Sequence, residues 1–563
     1  MRKLFAAIAV TLCAALSVSA CTSKEAGSNS SGNNEQPAPG APNPDATPGI
    51  QTIDGYKTDA RLGDGLAHID LELPWSDGGP ELMTKGRFQV LSLDRKGDNV
   101  RMVAAWLEPE SGPFMGSRAL ASGMDALNYS PTTKLWDPQT NEIISPLQLN
   151  DESNRDKCHC SGIHSRSSDV PTTKERVELF WVDFPAPANK EVRVIPSEWS
   201  GPIDQPVTIT DNQPFNNPAP DIATFADNED PADEYGSPEA KRYIDKLQDK
   251  TESLLGSSTT TADATTALNI TADVLFDFDK SEINDKGHKV LGNVAKTLNQ
   301  QAAGQTVKVV GHTDAKGDEN YNKKLSEDRA KAVQKELQPQ LNNVKLETEG
   351  RGETQPIAKN FDDKGNDLEA NQAKNRRVSF EFKPTDTEDL QVDTGQHTKD
   401  VPKVKSTTPP DGALASAEFF LPESHDNPIR VDINKVAEKD GYVRLDYGFS
   451  VTGNTPNFSY FSGVPGNTEF QFGLNDFTGG LAPSSGYVSL IDSNNIMHFS
   501  PQAAGRGCLC TEATGTDRAG YSTPAPMYGY FPKKLLDEGK VTLRIGDSGK
   551  WDIDLKDLEA RSK

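Results

Sequence analysis

Asp314 ends the run Gly311-His312-Thr313-Asp314, and Arg329 follows within Leu325-Ser326-Glu327-Asp328-Arg329-Ala330. This order predicts the end of a strand, a turn, and the first turns of an amphipathic helix. On that helix Leu325, Val333 and Leu337 recur at spacings that share one face. Arg329, midway between Leu325 and Val333, falls inside the apolar stripe. An arginine directed at a core needs an anion, because an unpaired buried charge is expensive. Asp314 stands at the mouth of the same connection. One acid and one arginine at a pocket edge suit a zwitterion: the carboxylate takes an ammonium, and the guanidinium takes a carboxylate in a bidentate fork. The alternative is a structural Asp314–Arg329 salt bridge inside an ordinary α+β domain.

The surrounding sequence supplies the elements that would position this pair. Val274 to Phe278 and Val307 to Val310 read as strands. Between them Val290, Leu291, Val294, Ala295 and Leu298 form one helical face, with Asn284 as its N-cap. Strands at Val344 to Glu347 and Val378 to Phe382 complete a small α+β sheet with helices on one face.

These residues resemble the OmpA-like peptidoglycan-binding domain. The likeness runs from Val274-Leu275-Phe276-Asp277-Phe278-Asp279-Lys280-Ser281-Glu282-Ile283 through Glu347-Thr348-Glu349-Gly350-Arg351-Gly352-Glu353 to Asn375-Arg376-Arg377-Val378. It covers residues 265–384. In that family an acid and an arginine grip diaminopimelate, the zwitterionic side chain of the wall's stem peptide. The resemblance implies Asp314 and Arg329 for those roles, with Thr313, Asn322 and Asp279 as supporting polar contacts. His312, Ala315 and Lys316 occupy loop positions expected to vary freely.

The whole chain has 563 residues, more than one core usually supports, so several domains are expected. Its formal charge of −24 argues against nucleic acid or a polybasic membrane surface as partner. Residues 1–21 read as a leader, with Arg2 and Lys3 before an apolar run from Leu4 to Leu16. Val18-Ser19-Ala20-Cys21 resembles a bacterial lipobox, which makes Cys21 the expected site of diacylglycerol and acyl (palmitate-type) attachment. An ordinary secretory signal is the competing reading. Residues 22–49 contain no Val, Ile, Leu or Phe and read as a disordered tether, with a coil dimension of roughly 30 Å. No second apolar run is long enough to span a bilayer.

Two further linkers are expected, an acidic stretch at 213–264 ending in a helix from Pro238 to Leu255, and a polar one at 385–412. Between them lie two mainly-β segments, 50–212 and 413–557, that look like copies of each other. Phe88-Gln89-Val90-Leu91-Ser92-Leu93 parallels Val431-Asp432-Ile433-Asn434-Lys435-Val436, and Asp137 precedes Ser145 as Asp492 precedes Ser500. Each copy then has a Cys-x-Cys, a Phe-Pro, an alternating strand and a tryptophan, Trp199 in the first and Trp551 in the second. The expected class is therefore multidomain: a central α+β OmpA-like sheet flanked by two sandwich-like duplicated domains.

In an oxidising compartment the four cysteines beyond the leader should form one tight disulfide per copy, Cys158–Cys160 and Cys508–Cys510. Zinc at Cys158-His159-Cys160 is the weaker reading, since Cys508-Leu509-Cys510 offers no matching histidine. No His-Glu-x-x-His, Gly-x-Ser-x-Gly or phosphate loop occurs, so neither enzyme nor cofactor is expected. The expectation is an extracytoplasmic, lipid-anchored envelope protein binding peptidoglycan noncovalently. The alternative is an adhesion or assembly factor whose β domains bind a protein or glycan while the central domain localises it.

Overall fold

The computed structural model describes residues 42–74, 83–110, 132–150, 156–161, 177–197, 200–225, 231–358, 360–361, 365–386, 390–421, 424–451, 488–503, 507–511 and 525–563. The leader, Cys21, most of the tether and Trp199 lie outside them. Residues 43–49, expected as the end of the tether, are held against the first β unit: the Asn43 amide donates to the Arg61 carbonyl and the Gly49 amide to Asp59.

In the central domain the strands Thr265–Thr271, Arg377–Phe382, Thr306–Gly311 and Lys345–Gly350 lie side by side in that order. The last two are parallel and the other neighbours antiparallel. Helices Asp285–Gln301 and Glu319–Leu337 cover one face, burying Val290, Leu291, Val294, Leu298, Val333 and Leu337 against Leu268, Ile270, Val307, Val309 and Phe380. The first helix starts where its cap requires: the Asn284 side chain accepts from the Gly287 amide at 2.7 Å. The opposite face carries charge, with Arg351 between Glu349 and Glu381.

One expected strand is displaced. Val274 to Phe278 is not extended; Ala272–Leu275 is a helical turn leading into a loop. The strand is Thr265–Thr271, whose Leu268 and Ile270 point inward while Asn269 bonds Ser379 across the sheet. The apolar run after it has its back to the core, but it turns instead of extending.

Each flanking β unit has two layers. In the first, Ala67–Pro74, Met83–Lys96, Asn99–Leu107 and Val177–Pro185 form consecutive antiparallel neighbours. They face a layer made of Lys134–Asp137, Glu142–Ile144 and Glu191–Ile195. Phe88, Val90, Met102, Leu135, Phe180 and Val194 fill the space between. In the second, Ala415–Leu421, Ser424–Lys439, Tyr442–Val451 and Ala525–Pro532 pair likewise, opposite Val488–Ile491, Ile496–His498 and Lys540–Ile545. The longest hairpin of each unit carries one register shift, between Val90 and Ser92 and between Ile433 and Lys435. Cys158 is bonded to Cys160, and Cys508 to Cys510.

Neither expected linker is free of the body. The first unit's main sheet is apolar on its outer face too, through Leu91, Val103, Ala105, Leu179 and Trp181, and Ala219, Ala223 and Phe225 cover it. Further along, Arg101 forks onto Asp183 and reaches the Ala232 and Glu234 carbonyls, while the Tyr235 hydroxyl donates to Asp94 at 2.8 Å. In the second stretch Leu390 and Val392 join the central core and Ser406–Thr407 adds to the second unit's sheet.

The expected helix from Pro238 to Leu255 is a strand, Ile244–Ser253. Helix propensity is a weak prior, and here open strand edges override it. This strand pairs with Glu142–Ile144 of the first unit, with Gln502–Ala503 and Ile496–His498 of the second, and with Ser258–Ala262, which continues into the central sheet. Around Leu247, Trp136 and Ile195 meet Leu509, Tyr528 and Tyr530, with the Trp136 and Tyr530 rings edge to face at 5.6 Å. Asp249 lies in the same strand, one carboxylate oxygen buried and without a partner among the described residues, and burial pushes its carboxyl up to about 6. The folded protein therefore holds this proton more tightly than the unfolded chain. Stability is fully present below the ordinary carboxylate value and is lost as pH rises through about 6. Asp249→Asn should raise thermal stability above pH ~7, by about 1–3 kcal/mol, and change little at pH ~4. Equal gains at both pH values in calorimetry would refute the assignment.

Candidate functional site

The site forms where the strand Thr306–Gly311 hands the chain to the helix Glu319–Leu337. Two glycines let helix and sheet close up at this end. A Cβ on Gly311 would lie 2.1 Å from the Ser326 carbonyl oxygen, and one on Gly350 would lie 2.4 Å from the Glu327 amide nitrogen. Asp318 caps the helix, accepting from the Asn320 and Tyr321 amides. The Ser326 hydroxyl donates to the Lys323 carbonyl and accepts from the Gly352 amide. The buried stripe runs Asn322, Ser326, Arg329, Ala330, Val333 and Leu337; Leu325, expected on the same apolar face, is only half-buried.

Arg329 is 4% exposed. Its Nε donates to the Lys280 carbonyl at 2.9 Å, and its guanidinium lies over the Phe276 ring at 5.2 Å. No carboxylate of the described residues comes within ion-pair distance of it. Burial lowers its pKa, opposed by the more distant charges of Asp273, Asp279 and Asp314. Asp314, 7% exposed, pairs with a different arginine: Arg376 donates to it at 2.8 Å, and the Lys316 amide donates to its other oxygen. Arg376 also forks onto Asp273 at 2.9 and 3.1 Å and reaches Glu369 at 3.2 Å, and Asp273 foremost, with Asp314, raises its pKa. The direct Asp314–Arg329 bridge considered from sequence is thus absent among the described contacts. An acid neutralised by a neighbour stands near a desolvated arginine that has no anion.

The supporting residues take different positions. Asn322 donates to the Lys316 carbonyl and to Glu353, so it fixes the turn that carries Asp314. The Thr313 amide donates to the Gly352 carbonyl, and its buried hydroxyl has no partner among the described residues. Asp279 adopts φ +60° and accepts from the Tyr321 hydroxyl at 2.6 Å, which raises the Tyr321 pKa. His312, expected in a variable loop, is interior instead. Its Nδ1 is buried without a partner among the described residues, and burial, reinforced by Arg377 and Arg351, pushes its pKa down to about 2, so it is neutral. Sequence reasoning gave no role to Arg376 or Phe276. Both lie inside the quoted motifs, but only the folded chain brings them beside Asp314 and Arg329. Among the described residues no cluster of three potential ligands could hold a metal.

Within this region, residues 275–369 match the OmpA family. Over 115 residues the chain is 41% identical to outer membrane protein A of Bordetella avium, covering 20% of this chain and 54% of that protein. It is 36% identical over 115 residues to a peptidoglycan-associated lipoprotein of Pseudomonas aeruginosa, covering 20% of this chain and 64% of that one. Among solved structures, the cell wall anchor of the T6SS from Pseudomonas aeruginosa is 27% identical, over 23% of this chain and 87% of that one, with a TM-score of 0.20. The chain spans less than two thirds of the length of these curated relatives.

A buried arginine without an anion should cost the fold stability, and a shared salt bridge should not. Arg329→Met should leave the unfolding temperature unchanged or raised, because an apolar chain of similar length loses one hydrogen bond and sheds the desolvation cost. Arg376→Ala should lower stability by about 1–3 kcal/mol, since it strands Asp314 half-paired. If Arg329→Met melted as low as Arg376→Ala, Arg329 would be holding the fold.

Proposed function

We propose that the central domain binds peptidoglycan noncovalently by gripping the diaminopimelate zwitterion. The observation carrying this is Arg329: a guanidinium under the helix, solvated by one carbonyl and one aromatic ring and lacking an anion. A ligand carboxylate would supply the missing charge, and Asp314 with the acids around Arg376 would receive the ammonium. The resemblance to relatives named peptidoglycan-associated lipoprotein supports the same ligand. Thr313, Asn322 and Asp279 would hold the loops about it, the unpartnered Thr313 hydroxyl being a donor free for a bound group. The proposed chemistry is recognition without catalysis.

The larger reading is a tether between membrane and wall, anchored by lipid at Cys21 on the extracytoplasmic side. The lipobox-like Val18-Ser19-Ala20-Cys21 supports it, and two or three acyl chains at about 0.8 kcal/mol per methylene suffice for stable anchoring. The flanking units are read as duplicated domains, supported by their matching strand pairings, register shifts and Cys-x-Cys disulfides. They would space the site from the membrane or offer a surface to a protein or glycan.

Cosedimentation of the full mature chain with diaminopimelate-type peptidoglycan tests the site. Wild type should pellet, while Asp314→Ala and Arg329→Met should stay soluble, having lost about 2–5 kcal/mol of binding. If the folded Arg329→Met protein pelleted as well as wild type, the zwitterion assignment would be wrong. Separately, Cys21→Ala should leave the detergent phase in a partition assay. Its retention there would remove Cys21 as the anchor.

A further inference from the structure

Five large apolar side chains are exposed among the described residues: Ile244, Phe278, Tyr321, Phe361 and Phe420. Scattered singly such residues need no explanation, but three of the five, Phe278, Tyr321 and Phe361, lie on the loops and the helix start around Asp314 and Arg329. Phe278 is 90% exposed and Tyr321 48%. On another side, Phe361 pairs in a bridge with Asp367, whose carboxylate meets Lys316 at 3.2 Å, and its neighbour Asn360 accepts from the Ala315 amide.

The turn that presents Phe278 is fixed although its ring is in solvent. The Lys280 amide closes it onto the Asp277 carbonyl at 3.0 Å, and Phe276 and Ile283 bridge across its base. The Lys280 carbonyl accepts from Arg329, and Asp279 accepts from the Tyr321 hydroxyl. An exposed aromatic on a clamped turn, attached directly to a binding arginine, has little left to lose in entropy when something covers it.

We infer that Phe278, with Tyr321 beside it, is a stacking ledge for a pyranose ring of the wall glycan, adjoining the zwitterion site. This rests on the peptidoglycan reading above and extends it from the stem peptide to the sugar that bears it. A pyranose presents a flat face of C–H groups and an edge of hydroxyls. The phenyl ring suits the face. Asp277 and Asp279, on either side of Phe278, supply carboxylate acceptors for the edge. On the side of Phe361, Lys316 is ion-paired with Asp367 and Glu369, and charge of this kind is depleted from the core of a protein–protein interface.

Isothermal titration of the full mature chain with two soluble probes tests the ledge: a disaccharide–peptide carrying diaminopimelate, and the same peptide without sugar. Wild type should bind the sugar-bearing probe about three- to tenfold more tightly, one aromatic contact's worth. Phe278→Ala, at a fully solvated position, should fold normally, erase that difference and leave the bare peptide's affinity unchanged. Equal binding of both probes by wild type overturns the ledge while leaving the zwitterion site intact. Equal weakening of both probes by Phe278→Ala also overturns it, assigning Phe278 to the peptide. If wild type binds neither probe, the peptidoglycan reading falls, and the ledge with it.

Discussion

A strand has two hydrogen-bonding edges, and buried backbone groups must be paired. Ile244–Ser253 meets that constraint by using both edges, with Thr251 and Glu252 paired on one side to Thr259 and Ser258 and on the other to His498 and Met497. The rest of the architecture follows from this strand. The first β unit attaches to its start, the second to its middle and end, and the central sheet continues from its hairpin partner. Removing it would expose the edges of three sheets at once, along with the aromatic cluster around Leu247. The central domain is thus joined to its neighbours through backbone pairing instead of a coil. The unpartnered carboxylate oxygen of Asp249 is a cost carried by the same strand.

The site shows the opposite economy. Arg376 has more anions than it needs, whereas Arg329 has none among the described residues. Folding alone would favour sharing the acids between the two arginines, because a desolvated unpaired charge is among the costliest groups to bury. Holding Asp314 with Arg376 keeps the acid rigid and partly neutral and leaves Arg329 open. That division suits a ligand bearing both charges, since binding then supplies what the fold withheld. The aromatic face of Phe276 and the Lys280 carbonyl make the unliganded state tolerable without filling the anion's place.

Much of the central domain was legible in the sequence because its signals are local. The Asn284 cap, the helical face from Val290 to Leu298 and the strands near Val307 and Val378 all stand where periodicity puts them. The errors came where distant partners decide. Ile244–Ser253 has a helix-compatible composition, and only the open edges of both β units make it a strand. Val274 to Phe278 looks like a strand by its apolar alternation, yet its residues serve the loop that backs Arg329. The two linkers looked solvated from their Pro and acid content, but a few apolar residues, Ala219, Phe225, Leu390 and Val392, were enough to dock them on sheet faces that strand patterns had left uncovered. In the site, the residue types were readable and the ion pairing was not: Arg329, Arg351, Arg376 and Arg377 all follow Asp314 within the domain, and only the folded chain shows that Arg376 is the one bonded to it.

The two Cys-x-Cys loops illustrate how surroundings can change the middle residue of a shared motif. Both loops bridge onto the last strand of their unit's main sheet, through Cys160 and Val182 and through Cys510 and Gly529. In the first unit the intervening residue is His159, whose ring reaches Asp183, the acid that also receives Arg101 and the Gly236 amide. That side of the first unit faces the returning chain at 232–236 and demands polar partners. In the second, Leu509 takes the same position and packs with Trp136, Leu247 and Tyr530 at the junction. A histidine there would bury a polar ring among aromatic groups with no acid to meet it, and a leucine at 159 would leave Asp183 short of one donor. If the units arose by duplication, this position diverged because one copy came to face a charged strap and the other an apolar seam.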